Sequence, residues 1–398
     1  MPPDFKHGDI PSAMNTPQRN HLVLLGAGHA HLQVIKQWPR LAPSFAKVTL
    51  ISPGPIQTYS GMMPGWVAGA YELGDCQVDI RPWLQRANIR WVQDTCIGIN
   101  ATQRQLYLRG APDSPFSFDQ LSIDIGSSMS PAQIEGVMPG ASGRVLPIRP
   151  MDLFATHWNA AVGIAQERRM DIAILGAGAA GVELALACKA KMRRIRAQAS
   201  VTLLTGGPDQ LLSGYSTRVQ SLALKALKRA EVSVLPHRSV AFENGSVILD
   251  NKLRLKCDLP IVATGSMAPA WLKDTDLALD ERGYIEVNAY QQSTSHTFVF
   301  ACGDVASRND VSHPKSGVYA IRAGEQMAEQ LSSSLRRGQL KEIKVQPRSL
   351  NILNTGNRRA IASYGDWSTS GWLAWLLKDY IDRRYIKSFQ TLPTRTQK

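Results

Sequence analysis

Short apolar runs that end at glycine-rich turns recur along the chain. Residues 21–25 form one such run and residues 171–175 form another, and a helical pattern of small and apolar residues follows each turn. Runs of this length bounded by glycine are typical of buried parallel strands. The pattern therefore predicts an α/β fold with two copies of a strand–turn–helix unit.

The second copy has the glycine spacing of a dinucleotide-binding loop. Gly176, Gly178 and Gly181 stand at G-x-G-x-x-G positions, where glycine permits the tight turn, the approach of a pyrophosphate and the packing of the helix on the strand. The N-terminus of that helix adds N–H groups and partial positive charge. The next predicted strand ends at Thr205, where an acidic residue usually holds the ribose hydroxyls, and no arginine follows directly.

The first copy departs from the full pattern. Gly26 and Gly28 are present, but His31 replaces the third glycine, and Ser52 ends the next strand where the ribose acid is expected. We predict a helix over about residues 32–38. His29 and His31 are two positions apart and do not share a helix face, so we expect no shared metal site.

Further along the chain, residues 57–69 predict a glycine- and proline-shaped loop, residues 78–84 open a short helix, and residues 89–125 alternate as hairpin-like strands with turns near Asn100 and Pro112. Residues 130–150 predict a crossover linker. The expected organisation is a disordered tail (1–19), a first domain in two parts (20–150 and 267–345), an inserted domain (151–266) and a small C-terminal α/β extension (346–398).

Composition narrows the functional classes. The net charge is +13 and the five cysteines stand far apart, which argues against a disulfide framework, a zinc site or a local dithiol and suits a reducing cytoplasm. The sequence has no apolar run long enough to span a membrane and no nucleic-acid-binding motif. The basic balance therefore suits anionic cofactors or an anionic membrane surface rather than nucleic acid.

The C-terminal segment predicts an amphipathic helix over residues 372–385. Lys378 and Asp382 fall away from its apolar face, and a basic cluster follows. Such a helix suits a membrane interface, although packing on the body or on a second subunit, as in a homodimer, remains an alternative. The apolar face consists of Trp372, Leu373, Leu376, Leu377 and Tyr380.

These motifs together resemble the two-dinucleotide flavoprotein superfamily, the pyridine nucleotide-disulfide oxidoreductases. The resemblance rests on both glycine loops, on the A-T-G pattern that ends at Gly265 and on the strand that delivers Gly303 and Asp304. It implies that the first domain holds FAD, that the inserted domain holds NAD(P)H, and that Asp304 holds the ribitol end of the flavin. It places Glu183 near the junction of nicotinamide and flavin. The implied cofactor contacts are Gly26, Gly28, His29, Ala30, Ser52, Ser60, Gly61, Pro64, Gly126, Gly176, Gly178, Gly181, Thr205, Gly265, Gly303, Asp304 and Gly317.

Within that superfamily the loop at 58–69 and the C-terminal helix resemble type II NADH dehydrogenases. Segments 26–31, 58–65, 124–127, 314–322 and 377–384 resemble more closely a subfamily often fused to selenide, water dikinase. Two glutamines that face flavin and quinone in type II dehydrogenases correspond to Val318 and Arg322 here. Lys315 and Arg322 instead imply positive charge beside the flavin, which favours an anionic reduced flavin or an anionic acceptor.

The resemblance implies hydride transfer from NAD(P)H to FAD and then electron transfer to an acceptor, with a quinone at the inner face of the membrane as the favoured acceptor. No thiol relay is expected, since only Cys302 stands near the flavin motifs. Three alternatives stay open: a sulfide:quinone-type enzyme, a soluble reductase linked to selenium metabolism, and a redox-sensing flavoprotein without fast turnover.

Overall fold

A computed structural model describes residues 21–129, 131–265 and 267–390. The expected tail at 1–19 lies outside these ranges. The strands are β1 His21–Leu25, β2 Lys47–Ser52, β3 Ile56–Thr58, β4 Gln77–Asp79, β5 Arg90–Gln93, β6 Cys96–Asn100, β7 Gln105–Leu108, β8 Ala111–Ser117, β9 Gln120–Ile123, β10 Leu146–Pro147, β11 Met170–Leu175, β12 Ala199–Leu204, β13 Ser233–Leu235, β14 Ser239–Glu243, β15 Ser246–Leu249, β16 Arg254–Lys256, β17 Leu259–Val262, β18 Ile285–Val287, β19 Val299–Ala301, β20 Ala306–Arg308, β21 Asn351–Asn354, β22 Ala360–Tyr364 and β23 Trp367–Gly371. The helices are α1 His29–Leu41, α2 Met63–Val67, α3 Arg81–Ala87, α4 Pro131–Val137, α5 Met151–Glu167, α6 Ala179–Arg194, α7 Thr217–Ala230, α8 Gly317–Leu335 and α9 Trp372–Gln390.

Two parallel sheets carry the two strand–turn–helix units, which confirms the predicted α/β class. The first has the strand order β19-β9-β1-β2-β5 and the second the order β10-β17-β11-β12-β13. Every pairing within them is parallel. Leu22, Leu24 and Ile174 are fully buried at their centres, because strands covered on both faces need apolar side chains on both.

One hydrophobic core extends from the first sheet into the second. It includes Leu24 of β1, Trp38 of α1, Ile174 and Val201 of the second sheet, and Trp66 of α2. The Trp66 ring contacts Phe154 of α5 edge to face. Because apolar burial is non-directional and cumulative, a shared core fixes the two units against each other.

Several predicted boundaries were wrong. Helix α1 begins at His29 rather than near residue 32, and the turn placed at Pro112 lies at Arg109–Gly110, with Pro112 inside β8. The expected linker at 130–150 contains α4 and β10, and the expected loop at 57–69 folds into a 3₁₀ turn followed by α2. In the segments 57–69 and 130–150, tertiary packing overrides the local glycine and proline signals.

The C-terminal extension is a three-stranded antiparallel sheet followed by α9, as the predicted small α/β extension requires. The polar face of α9 turns inward: Tyr71 donates a hydrogen bond to Asp379 at 2.7 Å, and the indole N–H of Trp83 donates to the carbonyl of Phe389 at 2.7 Å. Among the described helices, none has the length and apolar character needed to cross a bilayer.

Candidate functional site

The glycine loop of the second unit leaves open space at the position where a pyrophosphate approaches. Gly176 has a positive φ of +109°, and a Cβ on Gly181 would lie 1.8 Å from the Gly176 carbonyl oxygen, so both positions require glycine. A Cβ on Gly178 would meet no atom within 4 Å. Helix α6 begins directly after Gly178, so its free N–H groups face this space.

In the first unit His31 takes the place of the third glycine and is fully buried. Its Nδ1 lies 2.6 Å from the Gly26 carbonyl and its Nε2 2.8 Å from the Ser122 hydroxyl. Burial lowers the pKa of His31 to about 4, so the ring is neutral. Because a carbonyl only accepts, Nδ1 carries the proton and Nε2 accepts from Ser122. The imidazole thus joins the glycine turn to β9.

Asp124 fills the space beside the glycines of this first unit. A Cβ on Gly28 or on Gly303 would lie 2.5 Å from its carboxyl group, and the backbone N–H of His31 donates to it at 2.8 Å. Burial raises the pKa of Asp124 to about 7, a shift that Asp304 increases and the His31 hydrogen bond opposes. A carboxyl that protonates near neutrality suits the neighbourhood of an anionic ligand.

Asp304, the expected flavin contact, lies next to Asp124 at the carboxyl end of β19. It forms an ion pair of 2.9 Å with Arg149, whose guanidinium also donates to the Ser127 hydroxyl. Arg149 lies in the segment predicted as a linker, and neither spacing nor periodicity marks it as a site residue. Its guanidinium balances the charge of Asp304 at the carboxyl end of β19.

A cavity of about 870 Å³ opens between the two units and the C-terminal extension. Residues of the second glycine loop, α2, α8 and α9 border it, together with Ser128 and Met129 after β9. The carboxyl ends of the second sheet and the segment that follows β9 of the first sheet therefore border one space, as expected for ligand sites of parallel sheets. The predicted site residues that line it are Ser60, Gly61, Pro64, Gly176, Gly178, Glu183, Thr205, Gly265, Lys315, Gly317 and Arg322.

The other predicted residues are not among those that line this cavity. Gly303 and Asp304 line a smaller adjoining cavity with Lys315 and Arg322. His29 lies 3.5 Å from the Ser60 hydroxyl, and burial lowers its pKa to about 4. Ala30 packs as a buried residue of α1.

Gly126 follows the end of β9, and Ser52 is the last residue of β2. Gly126 has a positive φ of +68° at the end of β9. The Ser52 hydroxyl donates to the Gly54 carbonyl at 3.2 Å and accepts from Trp91 at 3.1 Å. Its proton is therefore in use while one acceptor position stays free, and the contact with a ribose hydroxyl remains a prediction.

Glu183 lies at the cavity wall on α6 and accepts a hydrogen bond of 2.7 Å from the backbone N–H of Asn354. Burial raises the pKa of Glu183 to about 7, Lys378 and the Asn354 hydrogen bond lower it, and Asp382 raises it. A carboxyl poised near neutral pH can donate and accept protons at working pH.

Helix α9 contributes charged residues that the sequence did not assign to the site. Lys378 pairs with Asp382 at 3.0 Å and donates to the Gly61 carbonyl at 2.9 Å, while the Tyr59 hydroxyl donates to Asp382 at 3.1 Å. The side chains of Lys378 and Asp382 are 12% and 4% exposed. In the sequence, the one indication of this role was their spacing along α9, which places both residues off the apolar face.

Lys315 and Arg322 provide the positive charge expected in this region. The Lys315 ammonium donates to the Ala306 carbonyl at 2.6 Å and lies 3.8 Å from the ring centre of Tyr284, and burial lowers its pKa to about 8. Nη1 of Arg322 is buried without a hydrogen-bond partner among the described residues. An unpaired buried guanidinium nitrogen favours an anionic or carbonyl-bearing ligand.

All five cysteines are free and buried. Cys302, the one nearest the flavin motifs, has no cysteine partner, and burial raises its pKa well above the ordinary value. A protonated buried thiol is a poor nucleophile. The described residues also contain no cluster of three or more histidine, cysteine or acidic groups that could hold a metal ion.

A family model for pyridine nucleotide-disulphide oxidoreductases matches residues 20–324. The chain belongs to this family. FAD and NAD(P)H are the cofactors of the family, and the glycine turns at Gly26 and Gly176, which leave no room for a Cβ, fit two dinucleotides. No curated protein matches the sequence.

Solved structures with the same fold come from several branches of this family. NDH2 from Plasmodium falciparum in complex with NADH has a TM-score of 0.76 at 13% identity over 93% of this chain and 98% of that one. The sulfide:quinone oxidoreductase of Aquifex aeolicus has a TM-score of 0.74 at 16% identity, over 93% of this chain and 91% of that one. The NADH-bound, water-forming NADH oxidase of Lactobacillus brevis has a TM-score of 0.69 at 20% identity, over 87% of this chain and 75% of that one. At these identities the likeness shows the fold alone.

The raised pKa of Asp124 predicts a pH-dependent stability for this oxidoreductase. A carboxyl whose pKa rises from 3.8 to about 7 on folding stabilises fully below pH 4, and this contribution is lost as pH rises through 7. Asp124→Asn removes this dependence, so relative to wild type it should be more favourable at pH 8 than at pH 5 by about 3 kcal/mol. Urea unfolding at both pH values measures the difference.

The exposed Asp113→Asn substitution on β8 is the matched control and should change stability equally at both pH values. Equal effects of Asp124→Asn at pH 5 and pH 8 would show that Asp124 titrates normally in the folded protein.

Proposed function

We propose that this protein is an FAD-dependent NAD(P)H dehydrogenase of the type II NADH dehydrogenase kind that reduces a quinone at a membrane surface. The cavity bordered by the second glycine loop, α2, α8 and α9 carries this proposal. It brings a nucleotide loop, a titratable carboxyl and a helix with an exposed apolar face to one place. Two structural neighbours support it: NDH2, whose structure contains NADH, and a sulfide:quinone oxidoreductase, which is named for a quinone acceptor.

The overall reaction takes NAD(P)H, one proton and a quinone to NAD(P)⁺ and a quinol. Bound FAD supplies the two-electron step between the nicotinamide and the acceptor. The loop at Gly176–Gly181 binds and orients the pyrophosphate of the nucleotide, and the walls formed by α2 and α9 restrict water at the reacting ends. The protein residues thus contribute position and electrostatics.

Glu183 is the residue we assign to the accompanying proton. Its carboxyl lies on the cavity wall between the second glycine loop and α9, and its pKa of about 7 keeps both forms populated. Arg322 and Lys315, which also line the cavity, stabilise negative charge that develops on the flavin or the acceptor. Different residues thus supply the proton and stabilise the charge.

A cysteine relay is not part of this mechanism. A disulfide exchange step needs two thiols within bonding distance and one of them ionised, whereas the five cysteines are separately buried and unpaired. This favours the quinone reductase over a sulfide:quinone-type enzyme. The selenium-linked reductase and the non-turnover sensor are the other outcomes that the acceptor experiment below separates.

Helix α9 is the element that we propose contacts the membrane surface. Its outward face exposes four large apolar side chains to between 44% and 65%, while Lys378 and Asp382 on the inward face are buried in the cavity wall. Exposed tryptophan and tyrosine beside arginines are typical of an interfacial helix. The exposed residues are Trp372, Leu373, Leu376 and Tyr380. We therefore propose that the cavity opens toward a lipid surface and draws its acceptor from there.

The first test of this function is the acceptor. The FAD-loaded protein, given reduced nucleotide and a panel of acceptors, should reduce a short-chain ubiquinone analogue at least tenfold faster than oxygen, ferricyanide or selenite, because the cavity walls are apolar as well as charged. Stopped-flow absorbance measures each rate. A protein that prefers selenite would support the selenium-linked reductase, and one that reduces no acceptor would support the sensor.

The second test is the pH dependence of Glu183. Because the reaction consumes a proton, the wild-type rate should fall about tenfold per pH unit above the pKa of about 7, as the protonated carboxyl is depleted. Glu183→Gln should be slow, with a flat pH profile. Glu329→Gln, an exposed residue of α8, is the control and should keep the wild-type profile. A Glu183→Gln variant with wild-type rate and profile would contradict the assignment.

The third test concerns the membrane. Deleting α9 would also remove Lys378 and Asp382 from the cavity, so the outward face is changed instead: Trp372→Gln, Leu373→Gln and Leu376→Gln together should weaken binding to anionic vesicles about 100-fold. Co-sedimentation measures binding, and flavin content should remain at the wild-type level.

The control for that variant is Leu224→Gln with Leu253→Gln, which are exposed apolar residues of the second unit. These should bind vesicles as the wild type does. A wild-type protein that never binds vesicles, or a triple variant that binds normally, would show that α9 serves a protein contact.

A further inference from the structure

The nucleotide choice of the second unit is decided where β12 ends. Thr205 stands there and is buried, with 7% of its surface exposed. Its hydroxyl donates to the Gly207 carbonyl at 2.5 Å, and so is already engaged in the turn. A carboxylate at this position would accept hydrogen bonds from the ribose hydroxyls and repel a 2′-phosphate. Thr205 itself carries no charge that would repel a 2′-phosphate.

The neighbouring strand brings an arginine to the same edge. β13 runs parallel to β12, with Leu204 opposite Leu235. The backbone N–H of Gly206 then donates to the His237 carbonyl at 3.0 Å, so the residues after both strands lie side by side. Arg238 follows at once and is exposed. The arginine that sequence reasoning looked for directly after Thr205 therefore comes from a later strand.

The acids near Arg238 leave its guanidinium available. Asp250 accepts hydrogen bonds from the His237 ring at 2.8 Å and from the backbone N–H of Arg238 at 3.2 Å. Within the described residues, no carboxylate forms an ion pair with the Arg238 side chain. Asp209 is an exposed acid in the loop after Thr205, and no ion pair joins it to Arg238 among the described residues.

We propose that the protein selects NADPH over NADH. In this proposal Arg238 binds the 2′-phosphate, and Thr205, unlike an acidic residue, does not repel that phosphate. This inference rests on the proposed NAD(P)H site but on neither the acceptor nor the membrane. Arginine matches phosphate oxygens with paired N–H donors. Its hydrogen bonds to the phosphate have no counterpart in NADH.

The test is binding of oxidised nucleotides to the FAD-loaded protein by calorimetry, which needs no turnover. Wild type should bind NADP⁺ at least tenfold tighter than NAD⁺, and added salt should reduce that difference. Arg238→Ala should weaken NADP⁺ about tenfold and leave NAD⁺ unchanged, and Arg238→Lys should recover part of the loss. Thr205→Glu should reverse the preference.

Arg169→Ala is the matched control, because Arg169 is an exposed arginine that precedes β11 at the amino end of the same sheet. It should leave both affinities unchanged. Equal or tighter binding of NAD⁺ by wild type would overturn the inference while leaving the proposed dehydrogenase intact. An equal loss of NADP⁺ affinity in Arg169→Ala would overturn the role of Arg238. If neither nucleotide binds, both the inference and the proposed function fail.

Discussion

The buried ion pair between Lys378 and Asp382 joins the C-terminal extension to both nucleotide units. Lys378 also donates to the Gly61 carbonyl and Asp382 accepts from Tyr59, so one helix holds the loop that borders the first unit. The same two charges set the electrostatic surroundings of Glu183 in the second unit. Removing one partner would leave the other buried and uncompensated, at a cost of about 3–5 kcal/mol. The cavity therefore depends on α9 for its shape and its charge.

The two glycine units solve the same packing problem differently. In the second unit Gly181 lets α6 lie directly against the turn, and the space beside Gly178 stays open. In the first unit His31 hydrogen-bonds the turn, and Asp124 occupies the equivalent space. The first unit thus places a group that titrates near neutrality where the second has none. A protonated Asp124 is compatible with a bound pyrophosphate, whereas an ionised one repels it.

The sequence predicted the parts of this architecture that local patterns determine. Apolar runs located β1 and β11, and the glycine spacing identified both loops, because backbone geometry there excludes other residues. It did not locate Arg149, which a crossover brings to Asp304, or Arg238, which strand pairing brings beside the end of β12, because no local pattern encodes either contact. The apolar face of α9 was predicted, and the charged face became part of the cavity only through tertiary contacts with Tyr59 and Gly61.

Electron transfer from a reduced nucleotide through a flavin bound in the first unit is the central claim. Anaerobic mixing of the FAD-loaded protein with one equivalent of NADPH tests it most directly, with the visible flavin absorbance as the readout. The account predicts that the flavin bleaches within the mixing experiment and that its colour returns when a quinone analogue is added. A flavin that stays oxidised in the presence of bound NADPH and of bound NADH would contradict it.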